Sequence, residues 1–215
     1  MNADLWAFEK ALTDDGYGKI AGIDEAGRGP LAGPVVSAAV VLPTGFDGAG
    51  ITDSKRLTQR KRALLYEHIY AESTSIGIGI VDTVEIDRIN ILQAAKLSMA
   101  MAVANLRPQP DVLIIDGNFN IPSLLPQQPI VKGDSRSVSI AAASIVAKVS
   151  RDSLMHRYHE DYPQYGFDRH KGYPTKAHKA AIESHGPCLI HRRSFRGVRE
   201  HLCAETAPLG KTSHG

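Results

Sequence analysis

Four acidic residues each follow an apolar run. Ile20–Ile23 leads into Asp24 and Glu25, Val112–Ile115 leads into Asp116, and Pro129–Val131 precedes Lys132-Gly133-Asp134. Runs this short and apolar read as strands, and the carboxyl ends of strands are where open α/β sheets build sites. If the first and fourth strands are neighbours, Asp24 and Asp116 lie side by side. Carboxylates that close repel unless a proton or a cation stands between them. Two divalent ions about 4 Å apart would meet that need and would suit in-line attack on a phosphodiester. An all-oxygen donor set points to Mg²⁺ or Mn²⁺ rather than zinc. One constraint follows from strand geometry. Successive side chains face opposite sides, so Asp24 and Glu25 reach one ion only if the strand bends at Glu25, which Gly27 permits, or Glu25 contributes from another direction or through its carbonyl. Asp134 has an ordinary alternative as a helix N-cap.

Directly after the first carboxylates comes Gly27-Arg28-Gly29-Pro30. Glycines let a backbone approach a ligand closely, and a guanidinium matches phosphate geometry. Ser54 and Lys55 precede a helix, a plausible phosphate position.

The elements that must carry these groups can be read in order. Residues 3–13 have helical apolar spacing at Leu5, Phe8 and Leu12. Strands are expected over 19–24 and 35–42, joined as an antiparallel hairpin through the Gly-Pro pairs. Residues 43–57 form a loop. Thr58 is placed to cap a helix running to Glu72, with Leu64, Leu65 and Ile69 inward and Arg60, Lys61 and Arg62 outward. Residues 75–81 alternate isoleucine with glycine, a strand whose glycines imply close packing. A short helix over 83–90 and a longer one over 91–106 follow, the latter ended by Pro108 and Pro110. The apolar run before Asp116 reads as a central strand buried on both faces. A short strand over 129–131 precedes a helix over 137–157. From Tyr158 onward basic and aromatic residues interleave in a helical lobe, and its lysines and arginines, Arg192 among them, are expected along nucleic-acid phosphates. The expected organisation is a core over 1–157, a helical extension over 158–206 and a disordered tail over 207–215.

Bulk properties narrow the class. The chain has 215 residues, 43% hydrophobic and 22% charged, enough for a core that hides roughly 70% of the unfolded surface. A formal net charge of +2 is too small to establish nucleic-acid binding by itself. Two cysteines, Cys188 and Cys203, lack ligand spacing, which argues against a disulfide scaffold or zinc ribbon. His170, His178, His185 and His191 show no tight metal spacing. No signal peptide and no membrane span is seen, so a cytoplasmic location is expected.

Six blocks taken together resemble one family. Asp24-Glu25-Ala-Gly-Arg-Gly-Pro, Asp53-Ser54-Lys55, Ile115-Asp116-Gly117, Lys132-Gly133-Asp134, Ala141–Asp152 and His170-Lys-Gly-Tyr173-Pro-Thr are similar, in order and spacing, to bacterial ribonuclease HII, the type 2 ribonuclease H. The resemblance spans roughly residues 19–200. It implies a ribonuclease H-like α/β fold, a five-stranded mixed sheet flanked by helices with a C-terminal helical part. It implies endonucleolytic cleavage of RNA in RNA–DNA hybrids and 5′ to ribonucleotides embedded in duplex DNA, leaving 3′-OH and 5′-phosphate ends. It implies Mg²⁺ or Mn²⁺ held by Asp24, Glu25, Asp116 and Asp134, with Asp152 as a further candidate ligand whose alternative is an ion pair with Arg151 or Lys148. By the same likeness Gly27-Arg28-Gly29 reads the 2′-hydroxyl at the RNA–DNA junction, the alternative being an ordinary turn stabilised by Arg28 pairing with a carboxylate, and Tyr173 stacks at the neighbouring deoxyribose; Ser54, Lys55 and Lys148 are expected to bind substrate, with a solvated loop as the alternative for Ser54 and Lys55. Tyr173 has the alternative of a half-buried core residue.

Two other readings fit less well. A type 3 enzyme usually carries a long N-terminal substrate-binding domain, whereas about 18 residues precede the first strand. A non-enzymatic hybrid binder has no use for carboxylates gathered near a polyanion. The chain is expected to be a monomer. Many family members contact a sliding clamp through a C-terminal motif, and residues 204–215 show no convincing one.

Overall fold

The Ile- and Val-rich runs pair into a five-stranded sheet in the computed structural model, which describes residues 4–202. The strands are β1 (Ile20–Ala26), β2 (Val35–Val41), β3 (Ser75–Val81), β4 (Val112–Asp116) and β5 (Gln127–Ile130), in the order β3-β2-β1-β4-β5. The hairpin β1–β2 is antiparallel, as is β2–β3, while β4 runs parallel to both β1 and β5. The sheet is therefore mixed, and its centre is β1.

Helices cover both faces. On one lies α5 (Val138–Asp161); on the other lies α4 (Ile91–Ala104). The remaining helices are α1 (Ala7–Asp14), α2 (Gln59–Glu72), α3 (Thr83–Ile89), α6 (Phe167–His170) and α7 (Lys176–His185). The alternation along β4 shows how the core is divided. Leu113 and Ile115 pack with Met99 and Ala102 of α4, whereas Val112 and Ile114 pack with Ile140 of α5. All four are at most 2% exposed, and each stabilises the fold by roughly 1.5–3 kcal/mol.

Small residues let the helices come close. A methyl group at Gly22 would sit 2.2 Å from the Ser139 carbonyl carbon in α5. Methyls at Gly77 and Gly79 would sit 2.0 Å and 1.9 Å from the Ala102 and Ser98 carbonyl oxygens in α4. The glycines of β3 thus mark the approach of α4, as their spacing implied. Ser137 caps α5 and also donates to Glu9 Oε1 at 2.6 Å, which ties α1 to the start of α5. A carboxylate at that end is favoured by the helix dipole.

Several boundaries differ from the sequence reading. α1 starts at Ala7, β5 covers Gln127–Ile130, and α5 continues four residues past 157 to Asp161. Leu64 is 65% exposed, not inward. Only Leu65 and Ile69, four apart and so on one helical face, reach the core; Leu64 is rotated about 100° from Leu65. Thr58 does cap α2, its hydroxyl accepting from Lys61 N at 3.3 Å. Among the described residues no helix is long and apolar enough to cross a membrane. The tail expected over 207–215 and Cys203 lie outside the described residues.

Beyond α5 the chain folds back under the β1–β2 connection. Tyr165, Phe167, Ile182 and Val198 form a small core with Leu31, Ala32 and Met155. Most of the aromatic residues of this lobe are therefore packing groups. Its edge is stitched to the connection by Leu31 N→Gly172 O, Gly33 N→Ile190 O and Arg192 N→Leu31 O, each 2.8 Å.

Candidate active site

The parallel register of β1 and β4 pairs Ile23 with Ile115, so the next residues, Asp24 and Asp116, come side by side. Asp134 arrives from a 3-10 turn, Gly133–Ser135, just before α5. That turn is anchored by Gly133 N, which donates to Asp116 Oδ1 at 2.7 Å. One oxygen from each of Asp24, Asp116 and Asp134 lies within 4.8 Å of the others. Asp134 is not the N-cap of α5, a role that falls to Ser137.

The electrostatics of this cluster are unfavourable for the bare anions. Burial first, then Glu25 and Asp116, push the Asp24 carboxyl well above its usual range. Burial, Asp116 and Asp53 raise Asp134, against the opposing pull of Lys55. Lys55 Nζ stands 3.6 Å from Asp134 Oδ2. Partial burial works against its charge, but Asp134, Asp24, Asp53 and Asp116 outweigh that and raise its pKa. Converging, partly desolvated carboxylate oxygens that repel one another are a donor set suited to a hard divalent cation.

Glu25 behaves differently. β1 stays paired with β2 through Ala26, so the strand does not bend, and Glu25 is not in the group of three. Arg28 Nη1 donates to Glu25 Oε1 at 3.2 Å, while Oε2 is buried without a partner. Burial raises its pKa, with Arg28 opposing. Asp152 also stands outside the cluster. Its partner is Lys148, at 2.7 Å, rather than Arg151. Ser54 turns inward, Oγ to Oγ with Ser144 at 2.9 Å, which leaves Lys55 as the group this loop presents outward.

The connection that begins with the Gly27–Gly29 turn and runs to Pro34 is held from beneath by two buried guanidiniums. Arg192, fully buried, donates to the carbonyls of Gly27, Arg28 and Gly33, the last two at 3.0 Å. Arg151, also fully buried, donates to Ala32, Pro34 and Lys171 carbonyls at 3.0 Å each. Arg192 is thus no phosphate contact; burial pulls its pKa down to about 9. Gly27 has φ +101°, and a methyl there would lie 2.1 Å from Arg151 Nε. With their carbonyls engaged by Arg192, Gly27 and Arg28 point inward. Among the described residues the Arg28 and Gly29 N–H groups have no acceptor.

Tyr173 sits beside this turn. Its ring Cε1 is 3.7 Å from where a Gly29 methyl would be, and the residue is 41% exposed. Lys148 Nζ lies 5.8 Å from the ring centre. The sequence placed Tyr173 among candidates but gave no sign of Arg151 and Arg192 as supports. The available signal was position: Arg192 lies in an Ile-His-Arg-Arg-Ser-Phe stretch with little to distinguish it from neighbouring surface arginines.

Comparison with known proteins agrees with this geometry. The family model for ribonuclease HII matches residues 21–198. A ribonuclease HII of Geobacter metallireducens is 54% identical over 198 residues, 92% of this chain and 93% of that protein. Among solved structures, ribonuclease H2 from Pyrococcus horikoshii OT3 is similar with a TM-score of 0.71 at 26% identity, covering 85% of this chain and 96% of that one. The Bst ribonuclease HIII in complex with Mn²⁺ shares the fold, with a TM-score of 0.66 at 19% identity, covering 86% of this chain and 69% of that one. The motif blocks, the mixed five-stranded sheet and the extent of these matches together show that the chain belongs to the ribonuclease HII family.

Proposed function

We propose that this enzyme, an endoribonuclease of RNA–DNA hybrids, also cuts duplex DNA on the 5′ side of an embedded ribonucleotide, leaving 3′-OH and 5′-phosphate ends. The observation that carries this reading is adjacency. Asp24 of the three-carboxylate cluster lies near the end of β1, and the Gly-Arg-Gly turn, whose Arg28 and Gly29 N–H groups have no acceptor among the described residues, begins three residues later, beside Tyr173. A 2′-hydroxyl is both donor and acceptor, and a backbone without side chains at Gly27 and Gly29 comes close enough to read it. The half-exposed Tyr173 ring then bears on the next sugar. A ribose there would meet the ring with an added hydroxyl.

Asp24, Asp116 and Asp134 would hold Mg²⁺ or Mn²⁺, with Glu25 reaching the site from the opposite face of β1. Two such ions, when bound, supply positive charge to the phosphate and ease loss of a proton from the attacking water. The chain's own groups do the rest. Gly133 N fixes the Asp116 carboxylate, Arg28 restrains Glu25, and the exposed Lys55 beside Asp134 would meet a substrate phosphate. Lys148, paired with Asp152 beside Tyr173, is placed for a backbone phosphate of the duplex. Residues 158–206 serve as a substrate-binding extension, and the biological role is removal of ribonucleotides from DNA.

The test is cleavage of a DNA duplex carrying one ribonucleotide, with Mg²⁺ and with Mn²⁺, beside a continuous hybrid of the same length. A single cut 5′ to the ribonucleotide is expected. Cleavage of the continuous hybrid alone would refute the junction reading.

A further inference from the structure

Two histidines far from the carboxylates meet under Tyr173. His178 of α7 is 0% exposed and His191 is 1% exposed, and their Nε2 atoms are 3.0 Å apart. At the outer ends, His178 Nδ1 is 3.0 Å from the Tyr173 carbonyl oxygen, and His191 Nδ1 is 2.9 Å from Cys188 N and 3.1 Å from Cys188 Sγ.

Hydrogen accounting allows one order. The Cys188 N–H can only donate, so His191 Nδ1 is bare. A neutral His191 then carries its proton on Nε2 and donates it to His178 Nε2, which must be bare in turn. The His178 proton therefore sits on Nδ1, where it meets a carbonyl that can only accept. This tautomer assignment follows from the partners. A proton added to either ring would set N–H against N–H. The Tyr173 carbonyl also accepts from Thr175 N at 2.8 Å, so both of its lone pairs are used and the backbone at Tyr173 is held from below while the ring stays at the surface.

We propose that His178 and His191 are positioning residues that set the Tyr173 ring beside Gly29 through this ordered chain of hydrogen bonds from Cys188, an inference that rests on Tyr173 being a substrate contact. Neither histidine touches the reacting phosphate. Their environment keeps them neutral. Burial, then His170, pull His178 down to about 4, and burial, then His178, do the same for His191. The titratable groups facing the pair are His170, stacked on His178 at 4.5 Å, Tyr165, 4.9 Å from His191, and Cys188, whose thiol burial pushes up to about 11.

Ring ¹⁵N NMR of the full chain at neutral pH tests the order directly. The Nδ1–H form of His178 and the Nε2–H form of His191 are expected. The reverse order, or a protonated ring, overturns the chain. Kinetics on the single-ribonucleotide duplex test its purpose. His178→Leu should lower kcat/KM about tenfold, the worth of one hydrogen bond. His178→Asn, which keeps a donor near the Nδ1 position, should recover most of that. The His178→Leu loss should vanish in a Tyr173→Ala background. An undiminished loss in that background, or an Asn variant no better than Leu, overturns the positioning role. Undiminished cleavage by Tyr173→Ala alone overturns instead the reading of Tyr173 as a substrate contact, a result the NMR order does not affect.

Discussion

Asp24 of the carboxylate cluster and the Gly27–Gly29 turn are three residues apart in the chain, but cluster and turn are built by opposite means. The cluster is set by sheet register, with Asp24 and Asp116 side by side on neighbouring parallel strands, and its anions repel one another. The turn has no regular structure, and cations hold it and the residues after it: Arg192 donates to the Gly27 and Arg28 carbonyls, and Arg151 to those of Ala32 and Pro34 further along the same connection. One region holds destabilising charge for chemistry on a backbone that needs no help. The other spends two buried charges to keep an irregular backbone in shape. Function and stability should therefore separate when each is perturbed.

The sharpest break is Asp116→Asn. Activity on either substrate should fall about a thousandfold or more, the value of several kcal/mol of electrostatic stabilisation. Because one of the charges raising Asp24 is gone, the melting temperature in EDTA should stay level or rise. A variant that loses both activity and stability would show that the carboxylates support the fold after all.

Arg192→Ala should act first on stability. Removing it strands several buried carbonyls and should cost about 3 kcal/mol or more in urea unfolding. Arg192→Lys should rescue poorly, since an ammonium cannot spread donors over Gly27, Arg28 and Gly33 as the planar fork does.

Acid distinguishes the cluster from the histidine pair under Tyr173 by sign. His178 and His191 are depressed to about 4 from an ordinary value of 6.5. The unfolded chain then binds more protons between those values, so their contribution is complete above pH 6.5 and is lost as pH falls toward 4. The loss approaches roughly 3 kcal/mol per ring, and less for the two together because they share a hydrogen bond. Asp24 is raised, so its penalty is instead relieved on acidification. Urea titrations of the parent and of His178→Asn between pH 4 and 7 would resolve the two.

Gly27→Ala should cost about 1–3 kcal/mol, from a left-handed φ and a clash with Arg151, and should blunt the preference for the ribonucleotide junction. At the bottom of the scale, Leu64→Ser on the exposed face of α2 should shift stability by less than about 0.5 kcal/mol.

Sequence patterns made the first region legible. A run of four apolar residues before Asp116 implied a strand buried on both faces, and the strand-then-carboxylate repeat implied a gathered site. The side of β1 taken by Glu25 was the question left open by strand alternation, and the unbroken pairing through Ala26 answers it. The second region was not legible in the same way. Arg192 read as one more basic residue of a nucleic-acid face, and it is a buried clamp 165 residues from the Gly27 carbonyl it holds. His178 and His191 show no tight metal spacing, and no spacing rule marks two rings that meet 13 residues apart to share a proton.

Local chemistry by itself determined the strands, the capped helices, the glycines that admit α4 and α5, and the acidic residues at strand ends, because periodicity and capping act over a few residues. Which side chains serve as ligands, clamps or proton carriers was decided only when the chain closed on itself. Burial turns an arginine from a surface charge into a backbone support, and a histidine from a titrating group into a fixed tautomer, and burial is a property of the packed whole.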